Sequence, residues 1–160
     1  MMAAKTGQAD PAVSPLASGL NFLLVDDDDI CLFIHRRVLE LSGCCRSAHS
    51  ASNGRSALEI LKRAGEGNGP LPDVILLDLD MPLMNGIAFL EAFRTLELLH
   101  KERIAIVLLT SSACGKDREY AMSLGVHLYL TKPFTREALQ AVVRSLYNAD
   151  PHLPVMFPNN

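Results

Sequence analysis

Val74-Ile75-Leu76-Leu77 is a run of four apolar residues that breaks off at a carboxylate, Asp78. A run this short and this apolar reads as a strand covered on both faces, as in the interior of a parallel sheet. Asp80-Met81-Pro82 follows, and a proline does not continue a central strand. Asn85-Gly86 signals a turn, after which Ile87, Leu90, Phe93 and Leu96 recur at helical spacing. Asp78 therefore falls where a central strand runs out, and ligands of open α/β sheets gather outside such ends.

The same pattern recurs along the chain. Phe22-Leu23-Leu24-Val25 ends in Asp26-Asp27-Asp28-Asp29. A helix follows, with Ile30, Phe33, Ile34, Val38 and Leu41 as its apolar stripe and Gly43 as its stop. Asp29, just before Ile30, is placed to cap that helix, and any acid there gains from the helix dipole. Residues 44–49 read as a strand of weaker pattern, and Asn53-Gly54 opens a helix carrying Ala57, Leu58 and Leu61. Residues 65–72 form a Gly/Pro-rich loop. Residues 104–109 make another apolar strand ending in Thr110-Ser111-Ser112, and residues 117–124 a short helix closed by Gly125. The last strand, 126–130, runs into Thr131-Lys132-Pro133-Phe134, and Thr135 caps a final helix with Leu139, Val142, Val143 and Leu146. Strand followed by helix, five times over, implies an α/β fold with a parallel sheet and helices on both faces. Residues 1–20 read as a disordered lead-in and residues 150–160, with three prolines, as a short tail, which leaves one domain at 21–149.

Composition narrows the function. Net charge is −3 over 160 residues, which argues against a general nucleic-acid-binding surface. Cys31, Cys44, Cys45 and Cys114 match no zinc spacing, and Cys44 and Cys45 are too close to bridge, so buried free thiols are expected. No run approaches the ~20 apolar residues of a membrane span. The N-terminus carries no apolar stretch of signal-peptide length, so a cytoplasmic location is expected.

A parallel sheet brings the strand ends to one edge. Asp26 and Asp27, Asp78, Thr110 and Lys132 meet there. Clustered carboxylates resist ionising together unless a cation joins them, and an all-oxygen donor set favours Mg²⁺. Lys132 offers a point positive charge for an anion such as phosphate, and Thr110 a hydroxyl donor. An aspartate beside Mg²⁺, a lysine and a hydroxyl suits acceptance of a phosphoryl group.

Four stretches carry a resemblance to a known family: Leu24-Val25-Asp26-Asp27, Leu77-Asp78 with Met81-Pro82 and Asn85-Gly86, Leu109-Thr110-Ser111, and Tyr129-Leu130-Thr131-Lys132-Pro133-Phe134. In order and spacing, over residues 21–147, the chain resembles a response-regulator receiver domain, similar to the single-domain chemotaxis regulator. The resemblance implies a flavodoxin-like, doubly wound five-stranded sheet in the order 2-1-3-4-5. It implies that Asp78 accepts phosphate from a sensor histidine kinase or phosphotransfer protein. It implies that Asp27 and Asp78 hold Mg²⁺ directly, Asp26 through water, and the Asp80 backbone carbonyl completes the set. Lys132, in a cis bond to Pro133, would bind the phosphoryl oxygens. Thr110 and Tyr129 would form a switch acting on the face of helix 4, strand 5 and helix 5. Such a protein is a signalling phosphoacceptor rather than a turnover enzyme, a monomer or a phosphorylation-dependent dimer whose output is protein contact. A one-residue change in where the first strand ends would move the metal pair to Asp27 and Asp28. Asp78-Leu79-Asp80 also fits the nucleophile motif of haloacid-dehalogenase-type phosphatases, but no later acidic pair after a strand supports that. A receiver-like adaptor that never uses phosphate is opposed by the complete acid, hydroxyl and lysine set.

Overall fold

The computed structural model describes residues 19–111 and 115–148. Strands β1 (Leu20–Val25), β2 (Cys45–Ala51), β3 (Val74–Asp78), β4 (Ala105–Thr110) and β5 (Leu128–Thr131) alternate with five helices. The helices are α1 (Asp29–Ser42), α2 (Gly54–Gly65), α3 (Gly86–Thr95), α4 (Gly115–Ser123) and α5 (Arg136–Asn148). The strands form one parallel sheet in the order β2-β1-β3-β4-β5, the flavodoxin-like arrangement that the family resemblance implies. β3 is its centre, and the strand order reverses between β1 and β3, which is where such sheets open a crevice for ligands.

Successive side chains of each inner strand point to opposite faces and so feed two cores. Val74 and Leu76 join Phe22, Leu24, Val107 and Leu109 against Leu39 of α1 and Leu139, Val142 and Val143 of α5. Ile75 and Leu77 join Leu23, Val25, Ile106 and Leu108 against Ala57, Leu61, Phe89, Leu90 and Ala121 of α2, α3 and α4. Each such side chain contributes about 1.5–3 kcal/mol when fully buried, so the inner strands hold their register firmly.

Helix α1 departs from the sequence reading. Of the expected stripe, only Val38 packs on the core. Ile30, Phe33, Ile34 and Leu41 are exposed, Phe33 by 71%. The buried residues of the helix are His35, Leu39 and Ser42. The helix has two apolar faces, and the one that includes a histidine turns inward. The cap also moves: Asp28, not Asp29, is the N-cap, with extended backbone (φ −92, ψ 110). Leu20, read as part of the lead-in, is buried in β1. β2 runs to Ala51, α4 begins at Gly115, and β5 begins at Leu128, each about two residues from the sequence expectation. Cys31, Cys44 and Cys45 are free thiols, but only Cys44 is buried. The expectations for residues 1–18, Cys114 and the 150–160 tail concern positions outside the described residues. Among the described residues no helix is long and apolar enough to cross a membrane.

Candidate functional site

Val25 and Leu77 are partners in the parallel ladder of β1 and β3. The next residue on each strand is an aspartate, so Asp26 and Asp78 come side by side at the sheet edge, both buried. Asp27 lies exposed beside them. One carboxylate oxygen from each of Asp26, Asp27 and Asp78 lies within 4.8 Å of the others. Asp28 is engaged elsewhere: its Oδ1 accepts from the backbone N–H groups of Ile30 at 2.8 Å and Cys31 at 3.3 Å. Those two bonds hold its carboxyl below the ordinary range. The converging trio is therefore Asp26, Asp27 and Asp78. Asp26 is aimed inward by the Asp28 N–H, which donates to Asp26 Oδ1 at 3.0 Å.

Lys132 arrives from the far side. The Lys132 N–H donates to the Thr110 carbonyl at 2.7 Å, extending the β4–β5 ladder by one step. The bond to Pro133 is cis. Lys132 Nζ donates to Asp26 Oδ2 at 2.9 Å and lies 3.3 Å from Asp78 Oδ2. Burial pushes the Asp78 carboxyl up, Lys132 pulls it back and Asp26 pushes it further up, so that it ends above its ordinary value. Burial works against the Lys132 ammonium, but the bond to Asp26 and the charge on Asp78 outweigh it and raise its pKa. One ammonium thus faces a trio of carboxylates, an excess of negative charge that a hard divalent cation would neutralise. The all-oxygen trio fits Mg²⁺, which takes one or two carboxylates and fills its remaining positions with water.

The floor of the site is set by Gly86. A Cβ there would stand 2.5 Å from the Asp78 carbonyl oxygen and 2.8 Å from Leu79 Cα, so only glycine lets the start of α3 approach the end of β3 this closely. The Gly86 N–H donates to the Leu79 carbonyl at 2.9 Å. Asp80 stands exposed at the mouth, its N–H 3.4 Å from Asp78 Oδ1. Thr110 is half-buried at the end of β4. Tyr129 of β5, also half-buried, is paired with Leu108 of β4. All seven residues singled out from the sequence thus lie at or near one sheet edge.

Two neighbours were not singled out. His35 is 1% exposed, its ring stacks on Phe134 at 4.3 Å, and its Nδ1 has no hydrogen-bond partner among the described residues. It braces the segment that follows Lys132-Pro133. Burial holds it below the ordinary imidazole range. Arg118 of α4 lays its guanidinium over the Tyr129 ring. Neither carries a motif; each is found only by folding one element over another.

The family model of the response regulator receiver domain matches residues 22–144. The chain belongs to the response-regulator receiver family. Receiver domains of two-component systems accept phosphoryl groups, bind Mg²⁺ at an acidic pocket and pair with histidine kinases or phosphotransfer proteins. A protein-glutamate methylesterase/protein-glutamine glutaminase of Treponema pallidum is 37% identical over 128 residues, 78% of this chain and 29% of that protein. The sensor histidine kinase CheAY of Helicobacter pylori is 31% identical over 76% of this chain but only 14% of its own length. The likeness to these longer proteins is confined to the receiver. Among solved structures, a two-component response regulator from Cytophaga hutchinsonii superposes with a TM-score of 0.72 at 27% identity, covering 81% of this chain and 98% of that one. The receiver domain of a Pseudomonas aeruginosa sensor histidine kinase, solved with magnesium coordinated in its active-site cleft, gives 0.67 at 26% identity over 82% and 99%.

Proposed function

We propose that this receiver is the phosphoacceptor of a two-component pathway and that Asp78 takes the phosphoryl group. The observation that carries the reading is the buried Asp78 carboxylate, within 4.8 Å of two further carboxylates and 3.3 Å from the Lys132 ammonium. An Asp78 oxygen attacks phosphorus, the phosphorus–nitrogen bond of a donor phosphohistidine breaks, and the imidazole leaves. The product is an acyl phosphate, with Lys132 paired to its oxygens and the Thr110 hydroxyl donating to them. Mg²⁺, when bound, neutralises the incoming oxygens; Asp26, Asp27, Asp78 and the Asp80 carbonyl are the groups that would hold it. The chain turns over no substrate beyond its own phosphorylation and dephosphorylation. The domain is taken as residues 21–149, with Leu20 of β1 joined to its N-terminal edge.

The exposed stripe of α1 supports a macromolecular donor. Ile30, Phe33 and Ile34 begin at the mouth of the site, and an apolar helix face there offers burial to the helices of a histidine kinase or phosphotransfer protein. Thr110 and Tyr129 then carry the change to the face formed by α4, β5 and α5, where an output protein binds. Incubation with Mg²⁺ and acetyl phosphate, followed by intact mass measurement, tests the reading. Gain of one phosphoryl group that Asp78→Asn abolishes is expected. A gain that survives the substitution overturns it.

A further inference from the structure

We propose that Arg118 is the positioning residue that sets the resting state of Tyr129, and that phosphoryl charge at Asp78 draws it off the ring. The inference rests on the phosphoacceptor reading above and extends it to the regulation of the same site. The Arg118 Cζ lies 4.2 Å from the centroid of the Tyr129 ring. A guanidinium this close to a tyrosine face is attracted by the ring quadrupole, more strongly when partly desolvated, and Arg118 is half-buried.

Arg118 also borders the segments that flank the phosphoacceptor. Arg118 lines a cavity of about 40 Å³ together with Leu79, Asp80, Thr110 and Ser111, the residues that follow Asp78 on β3 and end β4. That cavity has room for about one water. So one cation touches the ring on β5 and shares a cavity with the residues that directly follow Asp78 on β3 and end β4. Asp80 and Asp117 line the same cavity.

An aspartyl phosphate would bring about −1.5 to −2 charge to the pocket. Arginine stays charged at any working pH and presents a fork that matches phosphoryl oxygens. Charge-assisted pairing of that kind outcompetes a contact with a ring face. Drawn toward the pocket, the guanidinium uncovers one face of the Tyr129 ring and shifts the balance toward the inward position. Because Arg118 belongs to α4, the displacement also alters the surface offered to a partner. The device is a population shift between two ring positions, biased by one cation.

The test uses the full chain labelled with 3-fluorotyrosine, with Tyr120→Phe and Tyr147→Phe so that Tyr129 gives the single fluorine resonance. In Arg118→Met, before any phosphate mimic is added, this resonance should move toward the position that the Arg118 form reaches with Mg²⁺ and beryllofluoride. The released population should rise about two- to thirtyfold, the range set by losing one cation–π contact. Beryllofluoride should then move it little further, and Arg118→Lys should lie in between. Identical resonances for Arg118→Met and the Arg118 form, with equal displacement by beryllofluoride, would overturn the proposal. Circular dichroism confirms that the variants fold. If the Arg118 form gains no phosphoryl mass from acetyl phosphate, the phosphoacceptor reading fails, while the comparison without the mimic still decides whether Arg118 holds the ring.

Discussion

Replacing Asp78 by asparagine should stabilise the metal-free protein, even though it removes an ion-pair partner. The Asp78 carboxylate has the attraction of Lys132 and a long bond from the Asp80 N–H to lose, against the repulsion of its neighbouring acids and the cost of its burial. At an effective dielectric of about 20, Lys132 at 3.3 Å attracts it by about 5 kcal/mol. Asp26, with an oxygen within 4.8 Å, repels it by about 3.5 kcal/mol, and the exposed Asp27 adds a smaller, solvent-screened repulsion. Charge against charge, these contributions nearly cancel. Desolvation decides the sign, since burial is what first raises the Asp78 pKa, and the gain on removal is about 1–2 kcal/mol. Lys132 is not orphaned, because it keeps Asp26 at 2.9 Å. For a chain of this size the gain corresponds to a rise in melting temperature of roughly 2–8 °C. The sign with pH follows. A carboxyl raised in the folded state adds stability at low pH that is lost as pH rises through its folded pKa. The asparagine therefore helps most at neutral pH and loses its advantage below the ordinary carboxylate value of 3.8. Mg²⁺ at ten times its dissociation constant should return about 1.4 kcal/mol to the wild type and little to the variant, which closes most of the gap. Calorimetry of both proteins in chelator and in Mg²⁺ is the assay. A variant less stable than wild type in chelator at pH 7 would refute the claim that the site carries excess negative charge.

Three other outcomes follow from particular contacts. His35 and His127 both have imidazoles depressed by burial, so the unfolded chain binds more protons than the folded one as pH falls below about 6.5. Denaturant midpoints should be level above pH 7 and decline toward pH 5, with a shallower decline in His35→Leu; an unchanged slope would count against a neutral buried His35. Gly86→Ala should destabilise by about 1–3 kcal/mol, because its Cβ meets backbone that cannot step aside, and should slow phosphorylation by displacing Asp78. Mg²⁺ titration should show binding weakened roughly tenfold or more in Asp27→Ala. Asp28→Ala, which removes a helix cap, should leave Mg²⁺ affinity close to wild type, and the reverse order would move the metal pair to Asp27 and Asp28.

Much of this architecture is readable in the chain because β1, β3 and β4 are buried on both faces and leave no doubt about strand or sheet type. Their polar terminators share an edge as a consequence of parallel topology alone, so Asp26, Asp78, Thr110 and Lys132 can be brought together before any coordinate is seen. Helix α1 resists that approach. Ile30, Phe33, Ile34 and Leu41 mark a perfectly good apolar stripe, but Leu39 and His35 mark another, and periodicity does not say which faces the sheet. The choice is made in three dimensions, where Phe134 supplies a ring for His35 to stack on. In the run of four aspartates, residue type is silent on which one caps. The backbone answers, because the strand ends at Val25 and the helix starts at Asp29, leaving Asp28 as the half-in residue. Arg118 gives no sequence signal at all, since its partner lies on another element.

The most direct test of the account is to identify the phosphorylated residue chemically. The protein is treated with Mg²⁺ and acetyl phosphate and then with borohydride, which reduces an acyl phosphate to the alcohol and turns that aspartate into homoserine. Tandem mass spectrometry of the digest then reads the position. The account predicts homoserine at position 78 alone, absent without Mg²⁺. Homoserine at position 26, 27 or 80, or none at any position, would contradict it.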